Sequence, residues 1–151
     1  MPDDEAERQL DGFIDKYTPE VAALTRALIE KMKRRLPGAQ ILVYDNYNAL
    51  AIGFGPNDKV GDIILSIAAY PRWASLFFLR GAGLPDTDGL LQGSGSRVRH
   101  IRMPAAEAFD DLRVEALIAA ALARADVPID PAGEQRLVIK SVSPKQRPRR
   151  P

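Results

Sequence analysis

Gly93-Ser94-Gly95-Ser96, followed at once by Arg97-Val98-Arg99-His100, is the stretch of this chain best equipped to hold a ligand. Successive small residues let backbone N–H groups turn toward one point. Guanidinium groups beside such a nest hold a carboxylate or phosphate through charge-assisted hydrogen bonds. On a strand, Arg97 and Arg99 project to one side and His100 to the other, so the arginines are expected to flank the anion and His100 to contribute less. The loop opens a strand rather than a helix, which sets it apart from the phosphate loops of dinucleotide and nucleoside-triphosphate sites. The plainer alternative is a tight loop before an edge strand whose charges oppose aggregation.

Three further groups could carry chemistry. Asp4, Glu7, Asp11 and Asp15 form an acidic ridge along the first helix, and clustered carboxylates suit hard cations such as iron or calcium. An acidic solvent face is the commoner use of such a ridge, and Arg8 partly neutralises it. Tyr44, Tyr47, Tyr70 and Trp73 gather around two turns, where they could line a pocket or serve as core. Asp86-Thr87-Asp88-Gly89 begins like a calcium loop but lacks the remaining ligands and is read as a β-turn.

Catalytic equipment is sparse. The chain has one His and no Cys, and it carries no nucleophile elbow, zinc-protease helix or Walker-type loop. A serine triad would have to use His100, and a zinc site would have to be built on carboxylates. No catalytic residue is assigned, and a non-enzymatic small-ligand or anion-binding domain, or an accessory domain, is the favoured reading.

The elements that position these groups follow from periodicity. Residues 4–17 place Ala6, Leu10, Phe13, Ile14 and Tyr17 on one helical stripe. A second helix is capped by Thr18, has Pro19 in its first turn, buries Val21, Leu24, Leu28, Met32 and Leu36, and stops at Leu36-Pro37-Gly38. Ile41–Tyr44, Ala49–Phe54, Ile63–Tyr70 and Ala74–Arg80 are short apolar runs separated by turn residues, and Arg97–Met103 follows a Gly/Pro/Asp-rich loop. Such short connections exclude parallel crossovers, so these runs should form an antiparallel meander. The nearly all-apolar Ile63–Tyr70 suggests a central strand covered on both faces. Asp110 or Asp111 caps a third helix to about Ala125, and Arg136–Val142 reads as a late strand. The expected fold is α+β, with an antiparallel sheet of about five strands, two N-terminal helices and one C-terminal helix.

At 151 residues, 46% apolar and 27% charged, the chain has the size and balance of one globular domain, placed here at residues 1–142. The absence of Cys fits a reducing compartment. The acidic start, Met1-Pro2-Asp3-Asp4-Glu5, leads into no apolar run, and no stretch is long enough to span a bilayer, so a cytoplasmic location is expected. The 21 basic and 20 acidic residues nearly cancel, which makes no case for nucleic acid. Residues 143–151, however, hold Lys145, Arg147, Arg149 and Arg150 with no acid. With their prolines, they are expected to form a disordered basic tail and the one part of the chain suited to an acidic partner or nucleic acid.

From about Glu20 to Ala125 the pattern resembles the YdhG-like family of bacterial domains of unknown function. The stretch that carries the resemblance is Leu90-Leu91-Gln92-Gly93-Ser94-Gly95-Ser96-Arg97-Val98-Arg99-His100-Ile101, with the aspartate-capped helix Asp111–Ala125 and the earlier Leu76-Phe77-Phe78-Leu79. The resemblance implies helices packed on one antiparallel sheet. Some relatives have been proposed as frataxin-like iron chaperones, which makes iron the cofactor the resemblance implies. Relatives commonly carry an acid and a Pro-x-Phe after the second helix. In Gln40–Asn48 this chain keeps only the aromatic, at Tyr44.

Overall fold

The computed structural model describes residues 2–151, with side chains from Asp4 onward. Three α-helices lie on one face of a six-stranded sheet: α1 (Pro2–Ile14), α2 (Pro19–Arg35) and α3 (Leu112–Ala123). The strands are β1 (Gln40–Asp45), β2 (Leu50–Gly55), β3 (Leu65–Ala69), β4 (Ala74–Phe78), β5 (Arg99–Met103) and β6 (Arg136–Val142), in the spatial order β5-β4-β3-β2-β1-β6. The local signals act as expected in the helices. Thr18 Oγ1 accepts from Val21 N at 3.3 Å, and Asp111 Oδ1 accepts from Arg113 N at 2.9 Å. α1 stops at Ile14, and the turn Asp15-Lys16-Tyr17 leads directly to the cap of α2.

The sheet corrects two expectations. β1 to β5 form the antiparallel meander that short turns demand, but a sixth strand joins, and β6 pairs parallel with β1. Its chain arrives after the long excursion through α3, which is the kind of connection a parallel pair requires. A close approach fixes the crossover. A Cβ on Gly38 would lie 1.8 Å from the Asp130 carbonyl oxygen, so the approach to β6 is seated against the end of α2. The second correction concerns β3. The strand starts at Leu65, and Ile63 and Ile64 precede it; Ile63 folds over Gly53 of β2. The long apolar run is therefore a central strand, as expected, plus a covering loop, and the strand itself has helices on one face only rather than cover on both.

Alternation divides the sheet. Val43, Ile52, Ile67, Leu76 and Ile101 form one cross-strand row on the helix side, flanked by the rows Ile41–Phe54–Leu65–Phe78 and Leu50–Ala69–Ala74–Met103. With Leu10, Ile14, Leu28, Met32, Val114, Leu117 and Ile118 from the helices, these rows make the core.

Residues 143–151 lie against the end of the sheet instead of forming the disordered tail that composition suggests. Ser143 N donates to Asp45 O and Arg147 N to Tyr47 O, both at 2.8 Å. Arg149 is 5% exposed and Asp45 0%. Arg149 Nη2 meets Asp45 Oδ1 at 2.9 Å and also donates to Asn46 O, while Nη1 reaches Tyr47 O at 3.3 Å. Gln146 Nε2 and Lys16 Nζ donate to Asp45 Oδ2 at 2.8 and 3.1 Å. The tail buries almost nothing apolar; what it contributes is a charge partner for a buried carboxylate. Breaking such a pair costs about 3–5 kcal/mol. A chain ending after Val142 should therefore melt about 10 °C lower than the full chain in calorimetry.

Burial opposes ionisation of Asp45, but hydrogen bonds from Gln146, Arg149 and Lys16 outweigh it and hold the carboxyl below its usual pKa. The folded chain thus takes up this proton less readily than the unfolded one. The stability resting on the carboxylate is complete above the unfolded value near ~4 and is lost as pH falls through the lower folded value. Melting temperatures recorded from neutral to strongly acidic pH should fall steeply below that range. Asp45→Asn should start lower and show a smaller acid decline.

Candidate functional site

The face of the sheet away from the helices is built from two rows. Tyr44, Ala51, Ala68, Ser75 and Arg102 are cross-strand neighbours in one, and Leu42, Gly53, Ser66, Phe77 and His100 in the other. The loop before β3 covers the Leu42–Gly53 end, where Ile63 rests on Gly53 and Lys140 Nζ donates to Asp58 O at 3.1 Å. Among the described residues, no helix covers the remainder. Its floor is made of small side chains, Ala51, Ser66 and Ala68. Tyr47, Tyr70 and Phe77 stand around them and enclose an open groove of about 510 Å3.

The aromatic wall is ordered by stacking. Phe77 and His100 stack with ring centroids 5.1 Å apart, and Tyr70 and Trp73 at 5.2 Å. The Arg102 guanidinium lies 4.2 Å from the Trp73 ring centre, within cation–π range. The Arg147 guanidinium lies 5.6 Å from the Tyr47 ring. The Tyr44 hydroxyl is buried without a partner among the described residues, and burial raises its pKa. Among the described residues, Asp45 is the one acid in the six strands and lies on the helix side; Arg102, His100 and Lys140 belong to the open face. The groove thus has a floor of small side chains with aromatic ones around it, on a face whose strands carry Arg102 and Lys140 and, among the described residues, no acid.

The residues singled out in the sequence divide between this face and elsewhere. Tyr44, Trp73 and His100 belong to it. Gly93, Ser94, Gly95, Ser96 and Arg97 form an exposed loop beyond β5, and Gly93 uses its freedom to adopt φ of 120°. Arg99 continues the helix-side row Ile41–Phe54–Leu65–Phe78 at the sheet edge. Its Nη1 donates to the carbonyls of Gly95 and Val98, so the guanidinium closes its own loop. The loop and its two arginines thus do not converge with Tyr44 and Trp73, and His100, expected to contribute less, is the member of that segment on the open face, stacked on Phe77. Asp86 Oδ1 and Oδ2 accept from Leu90 N and Leu91 N at 2.8 Å, which makes Asp86–Gly89 a self-capped turn.

The acidic ridge is answered by α2. Arg26 Nη2 binds Asp11 at 2.7 Å and Asp15 at 2.6 Å, and Lys33 binds Glu7 at 3.0 Å. Asp4 is exposed a turn further back. Among the described residues no three metal-ligating side chains come together, and the ion pairs make the ridge a seam between α1 and α2. A small cavity of about 30 Å3 between Ile63, Arg80 and the end of α3 has room for little more than one water. Its Arg80 is paired with Asp126.

Sequence reasoning missed Ser66, Ala68, Phe77 and Arg102 as partners of Tyr44 and Trp73. For Ser66 and Ala68 the signal was present as two-residue alternation, small outside and large inside, within a run that reads simply as apolar. No family model, curated protein or solved structure matches this chain. No helix of the described residues is long and apolar enough to cross a membrane.

The stacking arrangement predicts a spectroscopic signature. Arg102→Ala should raise the acrylamide accessibility of Trp73 fluorescence and move its emission to longer wavelength. Arg99→Ala, with its side chain on the other side of the sheet, should leave both unchanged.

Proposed function

We propose that this chain is a non-enzymatic binding domain that takes a flat, anionic small ligand on the open face of its sheet. The observation that carries this reading is the small-residue floor of Ala51, Ser66 and Ala68 between aromatic walls, with Arg102 and His100 on the same face and no strand acid there. A planar group can lie on such a floor and meet Tyr47, Tyr70 and Phe77 edge-on or stacked, an arrangement that adds about 0.5–1.5 kcal/mol per aromatic pair beyond burial. Arg102 and His100, on the same face of the sheet, can donate charge-assisted hydrogen bonds to a carboxylate or phosphate that extends from the groove. Pockets with mostly apolar walls and a few convergent polar groups are the usual form of small-ligand sites. Membership of the YdhG-like family, which the segment from Glu20 to Ala125 resembles, is part of the same proposal.

Trp73, the single tryptophan, is a built-in reporter. Titration with naphthalene-2-carboxylate and naphthyl phosphate should quench its fluorescence saturably, whereas inorganic phosphate and naphthalene-2-methanol should do so weakly. Phe77→Ala and Arg102→Ala should each raise Kd about tenfold, the loss expected of one stacking partner or one charged hydrogen bond. Quenching that is absent, or equal for charged and uncharged probes and for all variants, overturns the reading.

A further inference from the structure

Asp45 and Arg149 are the two charged side chains buried among the described residues, and their surroundings are arranged for a guanidinium. Three acceptors from one turn converge on its terminal nitrogens: Asp45 Oδ1, Asn46 O and Tyr47 O. The Tyr17 ring lies 5.8 Å from the guanidinium carbon. Tyr17 is itself fixed, since its hydroxyl donates to Ala69 O at 2.8 Å and accepts from Leu50 N at 3.2 Å. All the acceptors and the ring belong to the α1–α2 junction and the β1–β2 turn, so the recess is defined by the body of the domain and only its filling comes from residues 143–151.

We infer that Asp45, Asn46, Tyr47 and Tyr17 form a recognition site for an arginine side chain carried on an extended, proline-flanked peptide, and that the chain fills it in cis with Arg149. The contacts favour a guanidinium over an ammonium. The planar fork reaches carbonyls on successive residues while holding the carboxylate, and a point charge on a flexible stem lacks that geometry. Arg149 Nε is buried without an acceptor, so recognition rests on the two terminal nitrogens and does not depend on the stem that carries them. Pro144 and Pro148 bias the segment toward an extended course, and Arg147 N adds one backbone hydrogen bond, to Tyr47 O at 2.8 Å. The tail is thus a peptide ligand with a single buried anchor, the usual form of a hot-spot interaction. Because Ser143 N is already bound to Asp45 O, the anchor is presented at high effective concentration.

Chemical rescue tests the site without the tail being removed. In full-length Arg149→Gly, millimolar ethylguanidinium should raise the melting temperature by several degrees, ethylammonium at the same concentration should not, and the unaltered chain should respond to neither. The rescue should vanish in Asp45→Asn/Arg149→Gly. Equal responses to the two cations, or the same response in the unaltered chain, overturn the inference. Should Arg149→Gly fail to fold, full-length Arg149→Lys decides. A melting temperature well below that of the unaltered chain supports guanidinium recognition, and one equal to it shows that any cation suffices and overturns the assignment.

Discussion

A carboxylate removed from water must receive its hydrogen bonds from the chain, and Asp45 is the point at which this fold meets that demand. It ends β1, where alternation turns its side chain toward the helices rather than toward solvent. The donors come from two separate parts of the sequence: Lys16 at the α1–α2 junction, and Gln146 and Arg149 beyond β6. Each of those segments is thereby fixed relative to the β1–β2 turn. Tyr17, next to Lys16, ties the ends of β2 and β3 to the same corner. An apolar residue at position 45 would leave the core intact but would remove the reason for these segments to meet. This is the sense in which buried ion pairs specify an arrangement even where they add little net stability.

The helices and the meander were legible because their signals are local. Thr18 with Pro19, Asp111 and the short turns act within a few residues of themselves, and the side chains they need are adjacent in sequence. The parallel pairing of β6 was not legible, because it joins strands far apart in the chain, and no local pattern announces the close approach of Gly38 to Asp130 that accompanies it. The order in residues 143–151 escaped for the same reason. Composition registers prolines and positive charge in that stretch, but the partner that orders it is one aspartate about a hundred residues earlier. Apolar content is a poor measure of order when the buried group is a guanidinium.

The candidate site shows the limit of reading residues by type. Glycines and arginines in 93–99 suggested an anion nest, yet the Arg99 guanidinium is turned onto the carbonyls of its own loop. Parity along β5 separates Arg99 from His100 and Arg102, and it is the latter two that share a face with Tyr44 and Phe77. Small residues proved more telling than charged ones. Ala51, Ser66, Ala68 and Ser75 fall on one side of three neighbouring strands, and together they keep that side flat. Larger side chains there would fill the groove that the aromatics enclose.

Tyr47 belongs to both halves of the molecule. Its ring borders the open groove, while its carbonyl oxygen accepts from Arg147 N and Arg149 Nη1. A single peptide unit therefore joins the sheet face to the buried ion pair on the other side of β1. In thermodynamic terms the two are linked functions. Whatever displaces that turn while occupying the groove alters the docking of residues 143–151, and docking alters the groove by the same free energy. The β1–β2 turn thus acts as a shared hinge pin, through which two surfaces of the fold answer to one another.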